Sequence, residues 1–253
     1  MAGPSPGHRA GHPLPLQEAS SYIARMVGAA EPPRNALLAG ATGLVGRALL
    51  PLLLGSARYE RVHVLLRRPV ANIASGPKLQ LHIVDFSKLL KALPQVDDVY
   101  LALGTTIKVA GSEAAFRQVD LDFVVNTASA AKSAGARRLA VVSALGADAS
   151  SRVFYNRVKG EMQAALAQLG YESLSIAQPS LLIGDRAALG QPVRGGEVWA
   201  ARLLGPVMRW VPAGVRPIQA QAVAEALLSA NLAGRPGLHI LSSAQMQTTG
   251  ISA

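Results

Sequence analysis

The 253-residue chain is predicted to fold as an α/β protein around a doubly wound parallel sheet, with a small C-terminal lobe for a substrate. Three observations carry that prediction. Short apolar runs recur at 36–39, 62–66, 79–84, 99–103, 139–142 and 174–177, largely uninterrupted, as strands covered on both faces must be. Helical segments fall between several of them, at about 44–54, 112–134 and 151–169, and this alternation selects parallel pairing with right-handed crossovers. A glycine-rich turn, Gly40-Ala41-Thr42-Gly43-Leu44-Val45-Gly46, joins the first strand to the first helix. Together they specify a Rossmann-type arrangement.

Residues 1–34 read as a weakly ordered tail: Gly, Pro, His and Ser dominate up to Pro15, and Pro32-Pro33 closes the segment. A short helix is expected within it at 17–27. The single domain then spans 35–253. Pro51 is expected to kink or shorten the first helix. Strand 62–66 runs into Arg67-Arg68-Pro69, strand 79–84 into Asp85, and strand 99–103 into Gly104-Thr105-Thr106. Ser143 ends strand 139–142, and Gly170 is placed to cap the helix over 151–169. Gly195-Gly196, Gly205-Pro206 and Pro212 break the stretch 185–216 into short pieces, as a mobile lid requires. Trp199 and Trp210 are expected to pack inward, and 237–243 reads as a last strand.

Half the residues are hydrophobic and 16% are charged, ample material for one buried core. The absence of cysteine removes disulfides, thiolate nucleophiles and Cys-ligated metals together. No secretory leader and no membrane-length apolar run is visible, so a soluble, cytoplasmic protein is expected. The net charge of +10 is read as an arginine-rich surface. Aromatic residues, at 4%, are too scarce for the stacking platforms of a nucleic-acid binder, so no nucleic-acid partner is expected.

In the glycine turn, Gly40 permits the tight bend, Gly43 lets backbone approach a pyrophosphate, and Gly46 lets helix pack on strand. The N–H groups that open the helix, around Thr42, Leu44 and Val45, then face the phosphates. About 20 residues further on, an acidic side chain would accept the ribose 2′-hydroxyl of NAD. Arg67 and Arg68 stand there instead. Two guanidiniums suit a 2′-phosphate, which predicts NADP over NAD. Asp85 is the candidate partner of the adenine amino group, and Leu103, Gly104 and Thr105 are expected along the nicotinamide side.

Tyr155 has a lysine, Lys159, four residues on, and Ser143 precedes them at a strand end. Residues four apart share one helix face. A free phenol ionises near pH ~10, so it exchanges a proton near neutrality only with positive charge beside it. Lys159 supplies that charge and can hold the nicotinamide ribose. Tyr155 would then protonate a developing alkoxide whose oxygen Ser143 hydrogen-bonds.

These residues resemble the short-chain dehydrogenase/reductase superfamily, and within it the atypical branch similar to the Tat-interacting-protein-like oxidoreductases. The resemblance covers roughly 35–185. Beside the motifs above it rests on Val84-Asp85-Phe86, Val119-Asp120, Ser143-Ala144-Leu145-Gly146-Ala147-Asp148, Tyr155-Asn156-Arg157-Val158-Lys159-Gly160-Glu161 and Gln178-Pro179-Ser180. It implies an NADP-dependent oxidoreductase with catalytic Ser143, Tyr155 and Lys159, and it brings Pro179 into the cofactor-binding set. One departure is Asp120, where many extended members carry an asparagine that supports a water relay; Asn126 is the nearby substitute. Two rival readings stand beside it, a non-catalytic NADP-binding regulator or scaffold and, more weakly, a cofactor-retaining epimerase or isomerase. Arg186, Arg194, Arg202, Arg209 and Arg216 against Glu197 leave room for an anionic small-molecule substrate. A homo-oligomer or a protein partner is also allowed.

Overall fold

The computed structural model describes residues 32–71, 73–88, 93–184, 212 and 214–249. Two compact units divide the chain, Met1–Pro32 and Pro33–Ala253. The tail helix expected at 17–27, the lid pieces at 185–211, Trp199 and Trp210 lie outside the described residues. The sheet and the site both belong to the second unit.

Its main sheet has seven strands: β1 (Arg34–Ala39), β2 (Tyr59–Leu66), β3 (Leu79–Ile83), β4 (Asp98–Leu101), β5 (Arg138–Val142), β6 (Ser173–Gln178) and β9 (Gly237–Ser242). All pair in parallel, in the order β3-β2-β1-β4-β5-β6-β9. Six are legible as apolar runs and the seventh as the expected last strand, each within a few residues of its observed ends. The order reverses between β1 and β4, the switch point at which open α/β sheets collect ligands.

Alternate residues of each central strand enter different cores, which is the physical content of double winding. Leu37, Leu65, Val99, Leu101, Leu139 and Ile176 face one layer of helices. Ala36, Leu38, Val62, Val64, Tyr100 and Ala140 face the other. The second face is covered by α1 (Leu44–Gly55) and α6 (Ala220–Ala233), through Leu49, Leu53, Val223 and Leu227. The first is covered by α3 (Glu113–Arg117), α4 (Phe123–Ser133) and α5 (Phe154–Ala167), through Phe116, Val124, Val158 and Met162.

Several elements differ from expectation. Helix α1 runs through Pro51 without ending; Pro51 is on the exposed side of the helix. The helix expected over 112–134 is interrupted by a π-helical turn, Gln118–Asp122, between α3 and α4. A short α2 (Ile107–Ala110), capped by the Thr106 hydroxyl accepting from the Val109 N–H, precedes it. Helix α6 is not among the expected helices; its alanine-rich sequence offers little contrast between sides.

A second, two-stranded sheet pairs β7 (Leu182–Ile183) with β8 (Ile218–Gln219) in parallel. It brackets the lid stretch. Beside it Ser180 Oγ donates to the Arg216 carbonyl, Ser243 Oγ bonds Ser180 Oγ at 2.9 Å, and Gln247 Nε2 donates to the same Arg216 carbonyl at 3.2 Å. Ser243 and Gln247 belong to α7 (Ser243–Thr249).

At the end of the sheet opposite the glycine turn, polar groups are buried together. Asp98 Oδ2 accepts from Tyr59 Oη at 2.7 Å and pairs with Arg34 at 3.2 Å, while the Tyr59 and Tyr100 hydroxyls bond at 2.6 Å. Burial pushes the Asp98 carboxyl up, against the opposing pull of the Tyr59 hydroxyl and Arg34. This cluster ties the starts of β1, β2 and β4.

Near the β3 edge, His63 Nδ1 and His82 Nε2 lie 3.0 Å apart. Burial, with His82 and Arg61 nearby, holds His63 down to about 4, and burial lowers His82 as well. A histidine that ionises at lower pH folded than unfolded binds more protons when unfolded. Its contribution is complete above the ordinary value of ~6.5 and is lost as pH falls from there toward 4. We expect the urea-unfolding free energy to fall by about 2 kcal/mol between pH 7 and 5 from His63 alone. His63→Gln should flatten that slope in the same titration.

Candidate active site

The chain leaves β1 at Gly40, whose φ of +93° and proximity to β4 exclude a side chain: an added Cβ would stand 2.3 Å from the Ala102 carbonyl oxygen. Gly46, further along α1, is excluded by packing, since its Cβ would stand 2.0 Å from the Gly40 oxygen. Gly43 differs. The nearest protein atom to an added Cβ would be 3.5 Å away, so the space there is left open. Helix α1 starts at this point with no side-chain cap and no acidic residue in its first turn. Its opening N–H groups are therefore available to an anion, and the helix dipole favours one there.

A cavity of about 890 Å³ spreads from this turn across the C-terminal ends of β1, β2, β4 and β5. Thr42, Gly43, Leu44 and Val45 border it on one side; Arg67 and Arg68 close one end, and Ser143, Tyr155 and Lys159 the other. Leu103, Gly104 and Thr105 form the floor between. The sequence-predicted residues are thus brought into one cavity, with three differences. Gly46 lies beneath it as a packing glycine. Pro179 is buried outside it, where its carbonyl accepts the Leu145 N–H at 2.9 Å. Asp85 is exposed and turned away, its carboxylate accepting from the Ser87 N–H at 2.9 Å and hydroxyl at 2.6 Å, bonds that hold its carboxyl below the usual range. Phe86, next in sequence, faces the cavity instead, stacked on Phe123 with ring centroids 5.7 Å apart.

Arg67 and Arg68 are exposed and form no ion pair with a described residue. At the other end, helix α5 presents Tyr155, Lys159 and Gln163 at successive four-residue steps, one stripe of one face. Its position is fixed by Gly160, where an added Cβ would stand 2.1 Å from the backbone of Asp148 and Ala149, and by the Asp148 N–H donating to the Asn156 carbonyl at 3.0 Å. The half-buried Tyr155 ring packs on Phe116, centroids 5.5 Å apart. Ser143 is buried, and its Oγ accepts from Gln163 Nε2 at 2.6 Å; Gln163 Oε1 in turn accepts from Gln178 Nε2 at 3.2 Å. An Oγ that accepts from Gln163 keeps its own proton to donate toward the cavity. Sequence reasoning misses Gln163, although its spacing from Tyr155 and Lys159 is there to be read. Asp120 lines the cavity and pairs with Lys159; Asn126 does not line it.

Such a cavity, with an anion-ready helix start, a cationic end and a hydroxyl–phenol–ammonium end, defines a nucleotide-binding Rossmann domain of the dehydrogenase type. Residues 40–175 match the family model described as NAD(P)H-binding. The chain belongs to that NAD(P)H-binding family, as an atypical member of the short-chain dehydrogenase/reductase superfamily. It is 35% identical over 173 residues to Protein HTATIP2 of Rattus norvegicus, covering 67% of this chain and 69% of that one. It is also 35% identical over 152 residues to Protein FMP52, mitochondrial, of Eremothecium gossypii, covering 60% of this chain and 68% of that one. Among solved structures, a short chain dehydrogenase/reductase family oxidoreductase from Burkholderia thailandensis shares the fold, with a TM-score of 0.63 at 20% identity over 86% of this chain and 94% of that one. No helix among the described residues is long and apolar enough to cross a membrane.

Proposed function

We propose that the chain is an NADP-dependent oxidoreductase acting on a carbonyl or alcohol, with Ser143, Tyr155 and Lys159 as its catalytic residues. The observation that carries the reading is the single cavity joining Arg67 and Arg68 at one end to those three side chains at the other. The residues fit the cofactor: open space at Gly43 and the uncapped start of α1 suit a pyrophosphate, and Arg67 and Arg68 suit a ribose 2′-phosphate. Bound there, the dinucleotide supplies or accepts the hydride. Ser143, its oxygen held by Gln163, donates to the substrate oxygen. Tyr155 passes its proton to that oxygen as negative charge develops on it, and accepts one in the reverse direction. Lys159, whose ammonium pairs with Asp120, would hold the ribose hydroxyls.

Fluorescence titration with NADPH and NADH, followed by a carbonyl panel scored for NADPH consumption, tests the reading. Consumption of NADPH by at least one carbonyl is expected. Binding without consumption by any of them would leave the non-catalytic nucleotide-binding reading in its place. The cytoplasmic location belongs to the same proposal. Recovery of a tagged chain in the mitochondrial fraction, the compartment in the name of the FMP52 relatives, would overturn it.

A further inference from the structure

The Tyr155 end of the cavity contains a buried ion pair whose carboxylate has no part in the chemistry described so far. Lys159 Nζ lies 2.7 Å from Asp120 Oδ1, and the two residues are 3% and 1% exposed. The second carboxylate oxygen accepts the Thr105 N–H at 2.9 Å. Asp120 sits in the π-helical turn Gln118–Asp122; such single wide turns are frequent at functional sites, where they redirect one side chain. The pair lies directly against the cavity floor. A Cβ added at Gly104 would stand 3.3 Å from Asp120 Oδ1 and 4.0 Å from Lys159 Nζ.

Of the charged groups lining the cavity, Arg47, Arg67 and Arg68 sit on α1 and at the end of β2. Among the described residues, the charged groups lining the opposite end are Lys159 and Asp120, one charge of each sign. The reduced nicotinamide ring is neutral and the oxidised ring is cationic. An uncompensated ammonium in this buried place would therefore oppose the oxidised form selectively, since repulsion between like charges is strong where water is excluded.

We propose that Asp120 is a positioning residue that acts as the counter-ion of Lys159, making this end of the cavity neutral so that it accommodates the oxidised, cationic ring. The inference rests on the reading that the nicotinamide lies over Gly104 toward Tyr155. It concerns binding and does not depend on which carbonyl is reduced.

The test is the ratio of two dissociation constants, NADP⁺ over NADPH, measured by calorimetry on the full chain. Asp120→Asn should raise that ratio about tenfold, with Asp120→Ala as the second variant should the amide fail to fold. Lys159→Met in the same assay should leave the ratio at the wild-type value or lower it, and Asp120→Asn combined with Lys159→Met should bring it back toward wild type. A purely structural Asp120 would weaken both forms alike and leave the ratio unchanged. An unchanged ratio in a folded Asp120 variant overturns the inference alone, as does a raised ratio in Lys159→Met. Failure of the wild type to bind either form overturns the cofactor placement together with it.

Discussion

Tyr155→Phe should reduce NADPH-dependent carbonyl turnover by about 10²–10⁴-fold, the range that a positioned general acid contributes, while NADPH binding stays within about twofold of wild type. The substitution removes one oxygen. The ring keeps its packing on Phe116, so the helix that carries Lys159 and Gln163 should stay in place. Steady-state kinetics with the responsive carbonyl, beside a fluorescence titration of NADPH, separate the two effects. Turnover retained by the variant would remove Tyr155 from the chemistry. A parallel loss of nucleotide binding would mean that its role is structural.

The second large effect concerns the cofactor. Replacing Arg67 and Arg68 together by serine should weaken NADPH by about 10–100-fold and leave NADH within about twofold, because hydrogen bonds to a charged group contribute roughly 1.5–3 kcal/mol each and exposure reduces that. Both side chains are exposed at the end of β2 and form no ion pair with a described residue, so the double variant breaks no ion pair of the described fold. The measurement is paired titration of the two nucleotides on wild type and variant. Equal affinity of the wild type for NADPH and NADH would refute the charge argument at its root.

The parts of the fold legible in the sequence are those whose cause is local. Strands β1 and β5 read as unbroken apolar runs, and β2 as one interrupted by His63, because both faces are buried there, and Gly40 and Gly46 read as a turn because backbone passes within contact distance there. The site is legible to the same extent: a strand end for Ser143, and one helix face for Tyr155 and Lys159. What escapes depends on contacts between distant positions. The role of Asp120 is set by Lys159, far along the chain on another helix, and nothing near Asp120 announces it. The π-helical turn that carries it has no composition of its own. Asp85 and Phe86 show the limit of register: past the end of β3 successive side chains take different directions, and the motif Val84-Asp85-Phe86 does not say which one turns inward. Gln163 is legible in spacing, but glutamine on a helix carries no chemical signature until Ser143 is seen beside it.

The short pairing of Leu182–Ile183 with Ile218–Gln219 has a consequence for how such a chain can vary. It clamps the two ends of the intervening stretch side by side, and the Ser180, Arg216 and Ser243 bonds lock the clamp to α7. Chain spliced between these anchors can change in length at little cost, since closing a loop grows only slowly more expensive as it lengthens. Its ends return to the same places regardless. A change in the length of that stretch should therefore leave the glycine turn and the Ser143–Tyr155–Lys159 face where they are.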